Sequence, residues 1–214
     1  MTDATAPRLS RRPFLLGLSL LPALGLATPV RAARAPERQL VLHHQHTGES
    51  LRTVYFADGA YLEDSLRAIN RIMRDWRNDQ VVAIDPRLLD IVHLLQSRLE
   101  LKGPLEIACG YRSPQTNAML RRRSRGVAKN SLHMQGMAVD IMFDGRTLAA
   151  VQKAAVALGA GGVGYYPGSG FIHLDTGPVR QWAMRGRVAA GSDGGSSRVT
   201  RRNRARRQAA ARAG

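Results

Sequence analysis

The 214-residue chain carries 32 Lys and Arg against 16 Asp and Glu, a formal net charge of +16, and its 44% hydrophobic content suits one domain of ordinary size with non-globular ends. The excess sits largely at those ends, +4 in residues 1–35 and +6 in residues 188–214, so the total charge does not by itself make the domain a nucleic-acid binder. The single cysteine, Cys109, excludes an internal disulfide and a zinc-thiolate cluster, and its place in the apolar run LEIACGY reads as a buried, inert thiol.

In chain order, Arg11 and Arg12 precede an apolar run from Phe14 to Ala27 and then small residues, the architecture of an export signal. The run is shorter than the roughly 20 residues a bilayer span requires, and Pro22 and Gly25 interrupt it. Ser10 to Leu16 resembles the twin-arginine export motif, and cleavage after Ala32 or Ala35 would release a periplasmic protein with no stable membrane span. The expected organisation is a signal peptide at 1–35, a domain at 36–187 and a basic, disordered tail at 188–214, which lacks aromatics and a sustained apolar face.

QLVLHHQHTGESLRTVYF reads as a hairpin around His46-Thr47-Gly48-Glu49. From Asp64, Leu66, Ile69, Ile72, Met73 and Trp76 recur at helical spacing, with Arg67, Arg71, Arg74 and Arg77 between them as a solvated face. A second helix fits DPRLLDIVHLLQSRLELKG, capped by Asp85, with Pro86 at its first position and Gly103 as terminator. A strand through LEIACGYRS leads to a third helix, PQTNAMLRRR, with Ser113 as N-cap. A basic loop, a strand through MAVDIMF, a helix ending at Gly159 and a glycine-rich β segment, GGVGYYPGSGFIHLD, complete an α+β pattern with a mainly antiparallel sheet.

The chemistry-bearing set is His133, Asp140 and His173, since two imidazoles and a carboxylate suit a divalent transition metal, above all zinc, with room left for a water. Such an ion activates water and polarises a carbonyl, which points to hydrolysis. The seven-residue step from His133 to Asp140 proves little alone, but Gly136 between them permits an unusual backbone and Ala138 and Val139 suit a strand carrying Asp140. On a strand, His173 and Asp175 face the same side, so Asp175 is the candidate general base aimed at the activated water. Arg112 stands at a strand-to-helix junction where its guanidinium and free N–H groups favour an anion such as a substrate carboxylate.

SLHMQGMAVD resembles the S-x-H-x-x-G-x-A-x-D signature of M15-type zinc peptidases. Together with HTGE, GYRSPQTN and GVGYYPGSGFIHLDTGPVRQW it is similar to the DUF882 or MepK-like murein endopeptidases over about residues 38 to 185. The resemblance implies a D-Ala-D-Ala-peptidase/hedgehog-like zinc domain that cleaves amide bonds in peptidoglycan. It implies Zn2+ ligands at His133, Asp140 and His173, and a stem-peptide carboxylate at Arg112, with Ser113 and Gln115 as positioning residues. The family's usual positions for the base hold Gly170 and Phe171 here, which leaves Asp175 to fill that role.

His43 and His44 face opposite sides of a strand and do not read as a second metal site, and the glycines from Gly161 to Gly170 launch no phosphate loop. The basic stretch from Arg121 to Lys129 is read as surface, well placed to attract anionic wall polymers. Competing readings are a D,D- or L,D-carboxypeptidase and a non-catalytic zinc-containing murein-binding module. Nucleic-acid binding is disfavoured by the export signal and the lack of stacking aromatics in the tail.

Overall fold

A computed structural model describes residues 36–124 and 126–184; the expected signal and tail lie outside the described residues. Strands β1 (Arg38–His44), β2 (Ser50–Ala57), β3 (Ala60–Tyr61), β4 (Leu105–Cys109), β5 (Ala138–Met142), β6 (Gly162–Tyr166), β7 (Phe171–Asp175) and β8 (Arg180–Ala183) form one sheet in the order β3-β2-β1-β4-β5-β7-β6-β8. Helices α1 (Glu63–Ile72), α2 (Pro86–Arg98), α3 (Pro114–Arg123) and α4 (Gly145–Leu158) complete an α+β fold. The sheet is mostly antiparallel, with parallel pairs only at β1–β4 and β6–β8 among the described strands. No helix among the described residues is long and apolar enough to cross a membrane.

Local signals account for most element ends. Asp85 accepts from the Arg87 N–H at the start of α2, Ser113 from the Thr116 N–H at α3 and Asp144 from the Thr147 N–H at α4, while Gly159 closes α4 in the left-handed region. Two ends differ from the sequence pattern. α1 stops at Ile72, short of Trp76, because the Met73 carbonyl is taken by the Tyr111 N–H at 2.7 Å and the Asp75 carboxylate by the N–H groups of Arg77 and Ser113. α2 ends before Leu99 rather than at Gly103, with Glu100 at positive φ.

The sheet has two chemically distinct faces. Leu40 and Leu42 of β1, Leu105 and Ile107 of β4, Val139 and Ile141 of β5, Val163 of β6 and Ile172 and Leu174 of β7 point to one side and join the core with α2 and α4. The alternate residues of the same strands, among them Asp140, His173 and Asp175, point to the other. A bulge decides the side taken by Cys109: Ile107 lies opposite Ile141, but Cys109 lies opposite Asp140, so Ala108 is an extra residue on β4. Without it Cys109 would share the core face of Ile107; with it, Cys109 stands beside Asp140.

The β1–β2 turn is fastened to the loop after α1. His44 is fully buried, and its Nδ1 accepts from the N–H groups of His46 and Thr47 at 3.3 Å each. Glu49 pairs with Arg74 at 2.6 Å and the His46 ring stacks on Trp76 at 4.4 Å. Arg74, expected on a solvated face, is therefore a buried anchor that also bonds Asp79, because two acidic groups converge on it. Arg77 lies over the Trp76 ring at 4.2 Å.

Burial lowers His44 from its usual 6.5 to about 4, aided by the neighbouring His46 and Arg74 charges. An imidazole with a lower pKa folded than unfolded binds fewer protons when folded, so its contribution is complete above pH 6.5 and is lost as pH falls to about 4. The melting temperature of the wild-type chain should accordingly fall more steeply between pH 6.5 and 4 than that of His44→Asn, whose amide oxygen can still accept from the turn. Parallel slopes in thermal unfolding across this range would show that His44 does not carry the effect.

Candidate metal centre

The site is assembled on the side of the sheet away from α2 and α4. Asp140 and His173 are cross-strand partners on β5 and β7, so register alone sets their side chains side by side. His133 comes from a short 3₁₀ turn, Leu132–Gln135, that Gly136 closes at φ +68, and a Cβ on Gly136 would overlap the Ala83 carbonyl oxygen. The Arg112 N–H bonds the His133 carbonyl at 3.1 Å, tying that turn to the end of β4.

Three ligand atoms converge. His133 Nε2 lies 3.1 Å from His173 Nδ1 and 3.3 Å from Asp140 Oδ1, and His173 Nδ1 lies 2.9 Å from Asp140 Oδ1. Ligands bound tetrahedrally at zinc–nitrogen and zinc–oxygen lengths of about 2.0–2.1 Å stand about 3.3–3.4 Å apart, close to this triangle. The tautomers are set from outside it. His133 Nδ1 is 2.7 Å from the Gly110 carbonyl, which can only accept, and His173 Nε2 is 2.9 Å from the Asp175 carboxylate. In the singly protonated imidazoles that bind a metal, these partners receive the N–H and the other nitrogens face Asp140, so three acceptors meet at one point, an arrangement a cation satisfies.

The same demand for positive charge at this point shows as a second proton favoured on His133. Burial opposes a positive His133, yet the Asp140 carboxylate and Cys109 outweigh it and raise the imidazole to about 10. Burial likewise opposes an ionised Asp140, but the charge and hydrogen bonding of His133, with those of His173, hold its pKa well below the usual carboxylate range. A fixed anionic oxygen between two histidines is thus an intrinsic feature of the site.

Asp175 occupies a different place from the one expected of a general base. Its fully buried carboxylate accepts from His173 Nε2, from the Gly162 and Gly177 N–H groups at 3.1 and 2.9 Å, and from Arg180 at 2.7 and 3.1 Å. Burial would raise its pKa, but these donors, led by His173, bring it down to about 2. It sits against the ring edge opposite Nδ1 with its acceptor sites filled, which is the place of an orienting group. Strand spacing put His173 and Asp175 on one face but could not show that the imidazole stands between the carboxylate and the triangle.

The other expected residues separate. Arg112 is largely buried, with Nη2 3.7 Å from Asp140 Oδ2 and 3.4 Å from Cys109 Sγ, and its Nε has no hydrogen-bond partner among the described residues. Ser113 is fully buried, and its hydroxyl accepts from Thr116 and Asn78, so it caps α3 and is closed to a substrate. Gln115 is exposed on the first turn of α3. Cys109 does not face the apolar core: its Sγ, a ring nitrogen of His133 and a carboxylate oxygen of Asp140 all lie within 4.8 Å of one another. Burial would raise its thiol, but Arg112 and His133 bring it to about 7.

Strand β8 was not read from the sequence, and it adds Arg180 and Trp182. Trp182 lies against the His173 ring, centroids 5.2 Å apart, and its Nε1–H donates to the Tyr166 hydroxyl at 2.7 Å. A Cβ on Gly164 would stand 2.6 Å from the indole, so glycine at the centre of β6 is what lets the ring approach. The GVG and RQW fragments were signals for this contact, but nothing in them announces a parallel β6–β8 pair.

Comparison with known proteins identifies the family. The sequence model for the family described as peptidoglycan L,D-endopeptidase MepK, an M15-type peptidase family, matches residues 32–182. Escherichia coli peptidoglycan L,D-endopeptidase MepK is 43% identical over 167 residues, covering 78% of this chain and 90% of that protein. The probable peptidoglycan L,D-endopeptidase MepK of Haemophilus influenzae is 44% identical over 168 residues, covering 78% and 89%. No solved structure gives a significant match.

Removing the Asp175 charge tests the orienting contact. Asp175→Asn should weaken metal binding about 10- to 100-fold, the usual cost of losing an outer partner of a histidine ligand. Chelator-competition titration of the folded variant checks this, and an unchanged affinity would count against the contact.

Proposed function

The chain belongs to the M15-type peptidase family described as peptidoglycan L,D-endopeptidase MepK, and from that premise we propose that it is a zinc-dependent peptidoglycan endopeptidase hydrolysing L,D amide bonds in the peptide cross-links of the cell wall. The observation that carries the reading is the triangle of His133 Nε2, Asp140 Oδ1 and His173 Nδ1, with both imidazole protons committed elsewhere. A zinc ion held by these three atoms would supply Lewis-acid polarisation of the scissile carbonyl and a water acidic enough to attack near neutral pH.

The protein's own groups do the remaining work. The Gly110 carbonyl and the Asp175 carboxylate hold the two imidazoles in the ligating tautomer, and Arg180 keeps Asp175 ionised. Asp175 is accordingly a positioning residue rather than the proton acceptor, because its oxygens are filled by His173, Arg180 and two backbone N–H groups. Arg112, beside Asp140 with an unpaired Nε, binds a carboxylate of the stem peptide and fixes the amide over the ligand triangle. Exposed Gln115, three residues beyond Arg112, would contact the same peptide. Trp182 and Tyr166 wall the side of His173 and limit water there.

The wider reading is a D-Ala-D-Ala-peptidase/hedgehog-like zinc domain at 36–187, delivered to the periplasm by a twin-arginine signal at 1–35 and carrying an accessory basic tail at 188–214. Its partners are peptidoglycan and, during export, the twin-arginine machinery. The family match and the identity to relatives named for peptidoglycan cleavage support the substrate class.

Mass spectrometry of products from defined cross-linked muropeptides should show monomers released at an L,D cross-link, abolished by chelator and by His133→Ala and restored to the wild type by Zn2+. Release of only a terminal residue would establish a carboxypeptidase instead, and cleavage unaffected by chelator would remove the metal from the mechanism. Arg112→Gln should raise KM about tenfold or more on substrates with a free stem-peptide carboxylate, the scale of a charged hydrogen bond. It should have little effect on the amidated analogues.

A further inference from the structure

The sole cysteine of the chain stands at the metal centre, and neither the histidine–aspartate triangle nor the catalytic reading uses it. The Ala108 bulge turns Cys109 from the core face of β4 to a position opposite Asp140, and cross-strand neighbours on one face stand close. Cys109 Sγ, a ring nitrogen of His133 and a carboxylate oxygen of Asp140 all lie within 4.8 Å of one another, a group that His173 is not part of. A sulfur and a nitrogen or oxygen sharing one tetrahedral zinc, with bonds of about 2.3 and 2.0–2.1 Å, stand about 3.5–3.6 Å apart, so a movement of about 1.3 Å or less brings the thiol to ligating distance from His133 and Asp140. Arg112 Nη2 is 3.4 Å from Sγ, and its guanidinium favours a thiolate there.

We propose that the Cys109 thiolate is a fourth ligand of the metal held by His133, Asp140 and His173, occupying in the resting protein the position that a water or a substrate carbonyl takes during hydrolysis. The inference rests on the metal reading above. Thiolate, imidazole and carboxylate together suit a borderline-soft divalent ion and fill a four-coordinate shell, closing the site that three ligands alone leave open. On metal binding the Sγ–H proton passes to solvent and the sulfur–metal bond forms. When substrate takes the position, that bond breaks and the thiolate remains beside Arg112. Metal exchange and access of water to the resting centre would both be restricted by this single side chain.

The test uses the mature chain, metal-depleted and reloaded with Co2+. One cysteine in the sequence means that a thiolate-to-cobalt charge-transfer band in the near ultraviolet has one possible source. The wild type should show that band together with the visible d–d absorption of bound cobalt, and its thiol should be protected from Ellman's reagent by metal and released by chelator. Cys109→Ser and Cys109→Ala should keep the d–d absorption and lose the charge-transfer band. Wild-type d–d absorption without the charge-transfer band would overturn the thiolate ligand while leaving the metal site standing. Absence of both absorptions would overturn the two together.

Discussion

Two hydrogen bonds outside the ligand triangle decide what the centre can hold. The Gly110 carbonyl accepts from His133 Nδ1–H and the Asp175 carboxylate from His173 Nε2–H, so in the singly protonated, ligating form both bare nitrogens face Asp140 Oδ1. Three acceptors within about a van der Waals contact repel one another unless positive charge sits among them. Much of the nearby architecture serves to keep those two bonds in place. Asp175 is neutralised by Arg180 and by two backbone N–H groups, and the end of β4 is tied to the His133 turn through Arg112 N–H and to the loop after α1 through Tyr111 N–H.

The sheet provides the rigid base because its two faces answer to different physics. Aliphatic residues facing α2 and α4 are held by exclusion of water and tolerate no polar group without a partner. On the reverse, the same strands offer carboxylates and imidazoles at fixed cross-strand register, so β5 and β7 carry ligands without any mobile loop between Asp140 and His173. Buried charge there is tolerable because each carboxylate has a cationic neighbour: Asp140 has Arg112 at 3.7 Å and Asp175 has Arg180 at 2.7 Å.

The HTGE turn belongs to the same support. Its Glu49 reaches Arg74 and its His46 stacks on Trp76, which holds the segment after α1 against the turn that carries Arg112 and Ser113. Ser113 caps α3 and receives Asn78 from that segment, so a residue that looked available to substrate is consumed in joining the two. The exposed Gln115 on the next helical turn shows how sharply burial changes within two residues.

The sequence by itself determined the helices with side-chain caps, because Asp85-Pro86 and Ser113-Pro114 encode their starts locally, and the hairpin around HTGE. It also singled out His133, Asp140 and His173, since Gly136 and strand alternation are properties of short segments, and the family likeness lay in contiguous motifs. What it could not contain was orientation between segments. The end of α1 depends on a carbonyl taken by Tyr111, β8 depends on a parallel pairing with β6, and Arg74 is held by Glu49, 25 residues away on the β1–β2 hairpin. Asp175 shares a face with His173 in any strand, but only packing with Arg180 and Gly162 turned it to the far edge of the imidazole. Cys109 shows the limit most sharply: strict alternation sends it to the core with Ile107, and one extra residue in the β4–β5 pairing, a property of two strands together, places it beside Asp140.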